Sequence, residues 1–214
     1  MARKKHLKIK EAYKLENVFS FEKEPLDKQI FEYFNNRNKF SIEIGCGHGA
    51  YTLSMAKLFP EENFIGLDVK PARIWKGATE ALNTKIKNAA FIVGGAENIE
   101  QMFSEIKFEN IWITFPDPQP KRRTENRRLT SPPFLERYKK IATQNSIVNL
   151  KTDNGELYKY TIKIISMLNY LILKQTTDLY SEEHVTDIEN IKTTYEKHYL
   201  EDGRTIKFVS FKLT

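Results

Sequence analysis

The sequence predicts an α/β protein built on a doubly wound, mostly parallel sheet. From residue 40 onward, short apolar runs alternate with stretches of helical spacing. Most of these runs are nearly continuous in apolar residues, as strands buried on both faces are. The first run ends in a cluster of glycines just before a helix, where open sheets of this kind bind ligands. A chain of 214 residues suits one such domain, burying roughly 70% of its unfolded surface. The expected division is a basic N-terminal arm over residues 1–25 and a single domain over residues 26–214.

The elements follow in order. Residues 15–34 mix aromatic and charged side chains and hold a short helix from about Leu26. Phe40–Ile44 is a strand ending at glycines. Tyr51–Phe59 has helical spacing and stops before Pro60. Asn63–Val69 is a second strand and Ala72–Lys87 a helix. Ala90–Val93 is a third strand, with a helix over about Glu97–Ile106. Asn110–Phe115 is a fourth, bounded by Pro116. Ser131 and Pro132 have the types favoured at an N-cap and first helical position, opening a helix to about Thr143. Ser146–Leu150 is a fifth strand and Asp153–Leu168 an amphipathic helix. Leu171–Leu173, a short helix near Asn190–Tyr199 and a final strand around Ile206–Phe211 close the chain, the late strands admitting an antiparallel edge.

Composition excludes several classes. The mean hydropathy of −0.54, with no run near the ~18 apolar residues of a spanning helix, excludes an integral membrane protein. With 40% apolar and 12% aromatic residues the chain is not disordered. One cysteine, Cys46, excludes a disulfide scaffold or a cysteine-built zinc site. His6, His184 and His198 show no ligand spacing with Cys46 or His48, so no metal is expected. The first residues lack the apolar stretch of a secretion signal, so the expected location is the cytoplasm. Nothing in the sequence speaks to oligomeric state.

The net charge of +6 is unevenly placed. Residues 1–14 carry six basic side chains and one acidic, and residues 116–131 five and two, leaving the remainder slightly acidic. Two basic clusters of this kind are the footprint expected for a polyphosphate partner, and nucleic acid is the reading they favour over solvated charge.

The first loop, Glu43-Ile44-Gly45-Cys46-Gly47-His48-Gly49, is G-x-G-x-G rather than the G-x-G-x-x-G of dinucleotide binders. A carboxylate two residues before its first glycine would repel a pyrophosphate and welcome a cationic ligand. Asp68, ending the second strand, is placed to accept from ribose hydroxyls. A cationic ligand with a ribose and no phosphate is S-adenosylmethionine. The alternatives are a Glu43 bonded to local backbone N–H groups and an Asp68 that only shapes a turn. The third loop, with Gly95, Ala96 and Glu97, should lie over the adenine, although Glu97 could equally serve the start of a helix.

After the fourth strand comes Pro116-Asp117-Pro118-Gln119-Pro120, then Lys121, Arg122, Arg123, Arg127 and Arg128. Prolines on both sides of Asp117 restrict the backbone and hold its carboxylate at the strand end. A buried carboxylate beside a phosphate-binding loop suggests recognition of a base whose backbone is gripped nearby. A proline-bracketed turn carrying solubilising charge is the alternative.

These motifs resemble the bacterial tRNA (guanine-N7-)-methyltransferases from Glu43 to the end of the chain. The blocks are Phe115-Pro116-Asp117-Pro118-x-Pro120-Lys121 with Arg127-Arg128-Leu129-Thr130, then Leu150-Lys151-Thr152-Asp153-Asn154, then Thr193-x-Tyr195-Glu196. The resemblance implies methyl transfer from S-adenosylmethionine to N7 of a guanosine in the tRNA variable loop. It implies cofactor positions at Glu43, Gly45, Gly47, Gly49, Asp68, Gly95, Ala96, Glu97 and Asp117, with Asp117 the central active-site carboxylate. Lys121, Asp153 and the Thr193, Thr194, Tyr195, Glu196 segment look like substrate positions, and Arg122, Arg123, Arg127 and Arg128 phosphate contacts. The chain departs from the family at Gln119, where tryptophan is usual, and at Gly95, where an acidic residue is common. The second departure leaves backbone groups or Glu97 to do that residue's work.

Two other readings stand beside this one. Asp117-Pro118-x-Pro120 loosely resembles the loop of amino-group methylases, though its aromatic is absent. A catalytically weak RNA-binding protein keeping the fold is the other.

Overall fold

The protein is described by a computed structural model of residues 2–22 and 24–213; the side chains of Ala2, Arg3, Lys4 and Thr194 lie outside the described residues. Eight strands among them form one sheet: β1 (Val18–Ser20), β2 (Phe40–Ile44), β3 (Asn63–Asp68), β4 (Ala89–Val93), β5 (Phe108–Thr114), β6 (Ala142–Thr152), β7 (Ile172–Thr176) and β8 (Lys207–Lys212). Their order is β1-β4-β3-β2-β5-β6-β8-β7. All pairs are parallel except those of β8, which runs antiparallel to both β6 and β7.

The central strands β2, β3 and β4 are buried along their whole length, and their alternate residues feed two cores. Ile42, Ile44, Ile65, Leu67, Ile111 and Ile113 pack under α2 (Asp27–Phe34), α5 (Ile99–Met102), α6 (Pro132–Ile141) and α7 (Gly155–Met167). Phe64, Phe91, Trp112 and Phe208 pack under α3 (Ala50–Leu58), α4 (Pro71–Asn83) and the segment leading into α8 (Thr194–Glu201). Covering both faces is what lets continuous apolar runs serve as strands.

Residues 1–25 contain α1 (Ala2–Ala12), which packs on α4, and β1, which pairs with β4. Asn17 fastens this segment: its side chain donates to the Ala78 carbonyl at 3.0 Å, and its own carbonyl accepts from Phe91 N at 2.8 Å. Lys8 sits over the Trp75 ring, 4.5 Å from its centroid.

The helix expected over Glu97–Ile106 is instead a 3-10 turn, Ala96–Asn98, and the single turn α5. Asp27 accounts for the difference. Its carboxylate accepts from the backbone N–H groups of Ser104, Glu105 and Ile106 at 2.8, 3.0 and 2.7 Å, drawing that chain out of helix. Burial pushes this carboxyl up, but the hydrogen bonds outweigh it and hold Asp27 below its ordinary pKa. Helix α4 stops at Asn83 rather than Lys87, because Lys85 takes a left-handed φ of 58° and Ile86 N bonds back to Ala81 O.

No helix of the described residues is long and apolar enough to cross a membrane, and no group of three or more His, Cys, Asp or Glu side chains gathers there as a metal site.

Candidate active site

The loops after β2, β3, β4 and β5 enclose a cleft of about 640 Å³ at the carboxyl ends of the strands. Gly45 turns the first loop with φ 77°, a left-handed value that a Cβ would strain. Gly49 starts α3 at φ 72°, and a side chain there would meet the Phe91 ring at 2.5 Å. Its hydrogen is what allows the glycine loop to lie flat on the sheet.

Asp68 ends β3 almost wholly buried. One carboxylate oxygen accepts from Gly47 N at 2.9 Å and the other from Lys70 N at 2.8 Å. These bonds fix the carboxylate at the cleft while leaving each oxygen a second lone pair. Glu97 lines the same cleft. Its carboxylate folds back over Gly95, into the space that a side chain at position 95 would fill.

Glu43 is fully buried and bonds to side chains as well as backbone. One oxygen accepts from Thr52 N at 2.9 Å and from the Thr52 hydroxyl, and the other from the Thr114 hydroxyl. It thus joins β2, the first turn of α3 and the end of β5. Burial pushes its pKa up to about 7, against the lowering effect of the Thr114 and Thr52 hydrogen bonds.

Asp117 lines the same cleft as Asp68. It is exposed, which corrects the expectation of a buried carboxylate: the loop projects from the strand end instead of folding into the core. Its Oδ1 accepts from Gln119 N at 3.0 Å. Phe115 and Gln119, on either side, have φ values of 47° and 45°, a left-handed conformation that costs non-glycine residues roughly 1 kcal/mol or more each. Arg128 supports this strained loop from behind. Its Nε is shared between the carbonyls of Pro118 and Gln119, each at 3.2 Å, while its guanidinium lies 4.2 Å from the centroid of the Tyr160 ring.

Of the other expected residues, Gly45, Ala96 and Arg127 line the cleft with Asp68, Glu97 and Asp117. Lys121, Arg122 and Arg123 stand exposed beside it. Glu43, Gly45, Gly47, Thr193 and Tyr195 surround a second recess on the other side of the glycine loop. Asp153 is paired with Arg204 at 2.9 Å, and the adjoining helix is capped by Asn154, which accepts from Leu157 N at 2.8 Å. Thr193 caps α8 in a reciprocal box with Glu196. Glu196 itself is completely buried against Lys151, 2.7 Å away.

Sequence reasoning assigned no role to Val69, Leu129, Phe134 and Arg137, which also line the cleft. Leu129 was visible only as part of a motif. The others come from a strand end and a helix whose approach is a tertiary fact.

The strand order, the glycine loop and the carboxylates at successive strand ends define a methyltransferase of the doubly wound class. Solved structures agree on the fold. The 16S rRNA methyltransferase KamB superposes with a TM-score of 0.64 at 11% identity, over 91% of this chain and 97% of that one. The 30S ribosomal A1408 methyltransferase from an uncultured bacterium gives 0.61 at 20% identity, over 91% and 98%. Residues 37–209 match the family described as "Putative methyltransferase". The chain is 39% identical to the tRNA (guanine-N(7)-)-methyltransferase of Christiangramia forsetii, over 96% of both chains. It is 43% identical to the protein of that name from Bacteroides fragilis, over 85% of this chain and 71% of that one. The chain belongs to the tRNA (guanine-N(7)-)-methyltransferase family.

Proposed function

We propose that the protein transfers a methyl group from S-adenosylmethionine to N7 of a guanosine in the variable loop of tRNA. The observation that carries this reading is the meeting of Asp68, Glu97 and Asp117 around one cleft in a chain of this family.

The cleft suits S-adenosylmethionine. Leu67, Val69, Leu129 and Phe134 offer apolar walls for a purine, and Asp68 retains acceptor capacity for ribose hydroxyls. Glu97 supplies an acceptor at the third loop, in the space left by Gly95. When bound, S-adenosylmethionine supplies an electrophilic methyl group.

Guanine N7 has a lone pair and no proton, so the chain need not provide a general base. Its contribution is to position the base and to stabilise charge. Asp117 accepts from the guanine N1–H and exocyclic amino group, and its negative charge favours the cationic ring that N7 methylation produces. The strained backbone on both sides and the Arg128 brace hold that carboxylate at the cleft wall. Lys121, Arg122 and Arg123 lie where they can neutralise tRNA phosphates, and the basic N-terminal segment adds further positive charge.

Incubating unmodified tRNA with S-adenosylmethionine labelled in the methyl group tests this. Label in the tRNA, lost in Asp117→Ala while that variant still binds the cofactor, is the expected result. An Asp117→Ala protein of near-normal activity would overturn the role given to Asp117.

A further inference from the structure

The recess on the far side of the glycine loop, about 330 Å³ in volume, shares Gly45 with the main cleft and reaches Phe115, close to Asp117 in the chain. One wall is α4, from which Arg73 and Lys76 project on one helical stripe, both exposed. Gly77 brings that wall in: a side chain there would lie 2.6 Å from the His48 carbonyl oxygen and 3.1 Å from Gly49 Cα. The helix therefore rests directly on the glycine loop, and its cations share the recess with His48. Burial, then the charges of Lys76 and Arg73, hold that imidazole below its ordinary pKa; Lys8 of α1 adds to this and Asp68 opposes it.

Thr193 and Tyr195 line the same recess, and Tyr195 is 55% exposed. Two acids also line the recess, Glu43 and Glu80. Glu80 is an exposed group one turn beyond Lys76. Glu43 is turned onto Thr52 and Thr114, and with a pKa of about 7 it carries only part of its charge at neutral pH. Arginine, lysine and imidazole in one recess with an exposed aromatic ring are the chemistry that recognises an RNA strand: cations for the phosphodiester and a ring for a base.

We propose that this recess is a tRNA subsite, in which Arg73, Lys76 and His48 hold a phosphodiester next to the target guanosine and Tyr195 stacks on a neighbouring base. The assignment rests on the tRNA reading above. It gives α4, which otherwise serves as scaffold, a direct part in substrate binding, and it places the glycine loop between cofactor and RNA.

The test is tRNA binding to the full chain, without cofactor, over a series of KCl concentrations. For Arg73→Gln/Lys76→Gln, affinity should fall roughly tenfold and the slope of log K against log salt by about 1 for each phosphate no longer neutralised. Tyr195→Ala should weaken binding with the slope unchanged, because stacking releases no counterions. Both variants should bind S-adenosylmethionine as the parent does, which shows that they fold. In the parent, the His48 imidazole should titrate at higher pH once tRNA is bound. A double variant with parental affinity and slope would overturn the subsite. A parent protein that binds tRNA as described but transfers no methyl group would overturn the proposed function and leave the subsite standing.

Discussion

Lys151 on β6 and Glu196 on α8 form a completely buried ion pair, 2.7 Å between charged atoms. The lysine also donates to the carbonyls of Glu189 and Ile191 at 2.7 and 2.8 Å and to the Tyr180 hydroxyl at 3.0 Å. Glu196 in turn accepts from Tyr180 and closes the capping box with Thr193. One side chain from the sheet thus fixes the segment that presents Thr193 and Tyr195. Burial lowers the pKa of Lys151, and the Glu196 charge works against that shift.

Removing either partner leaves an unpaired buried charge. Lys151→Met should cost about 3 kcal/mol or more, measured by urea unfolding. Lys151→Met/Glu196→Gln should recover much of that loss, since the orphan charge is gone. A double variant no more stable than the single would show that the two are not coupled.

Glu43 makes stability depend on pH in a defined direction. Its carboxyl titrates near 7 in the folded protein against an ordinary 4.5, so the folded state holds the proton more tightly. The associated stability is complete below about pH 4.5 and is lost as pH rises through 7. Relative to Glu43→Gln, the parent should lose about 3 kcal/mol between about pH 4 and pH 8. A pH-independent difference between the two proteins would contradict the burial argument.

Arg128 and its neighbours should separate in their effects. Arg122→Gln/Arg123→Gln should lower the salt slope of tRNA binding by about 1 for each phosphate that is left without its cation. Arg128→Gln, which releases the Pro118 and Gln119 carbonyls, should instead depress turnover at saturating tRNA. Steady-state kinetics beside binding curves distinguish these outcomes. A loss confined to the slope in Arg128→Gln would make it one more phosphate-binding cation.

The centres of strands β2 to β6 were legible as short, largely apolar runs, those of β2, β4 and β5 ending close to glycine or proline, whereas the polar first residues of β6 from Ala142 gave no such signal. The elements' order and the carboxylates at strand ends were legible too, since open-sheet geometry locates ligands there. Residues 1–25 were not: α1 is rich in lysine and has no acidic residue in its first turn, so its packing on α4 through Lys8 and Trp75 had no local sign. The shortened helix after β4 depends on Asp27, far away in sequence. Arg128 looked like one more cation in a basic tract, and only its bonds to the loop carbonyls and its place over Tyr160 reveal a brace. Lys151 stood within a recognisable motif, but its meaning required a partner from the end of the chain.

Mapping the methylated position tests the central claim most directly. Unmodified tRNA is treated with the protein and S-adenosylmethionine, then with borohydride and aniline, which cut RNA at 7-methylguanosine. The account predicts cleavage at one guanosine of the variable loop, absent without cofactor and absent with Asp117→Ala. Methyl groups found on adenine, on protein or on no RNA at all would contradict it.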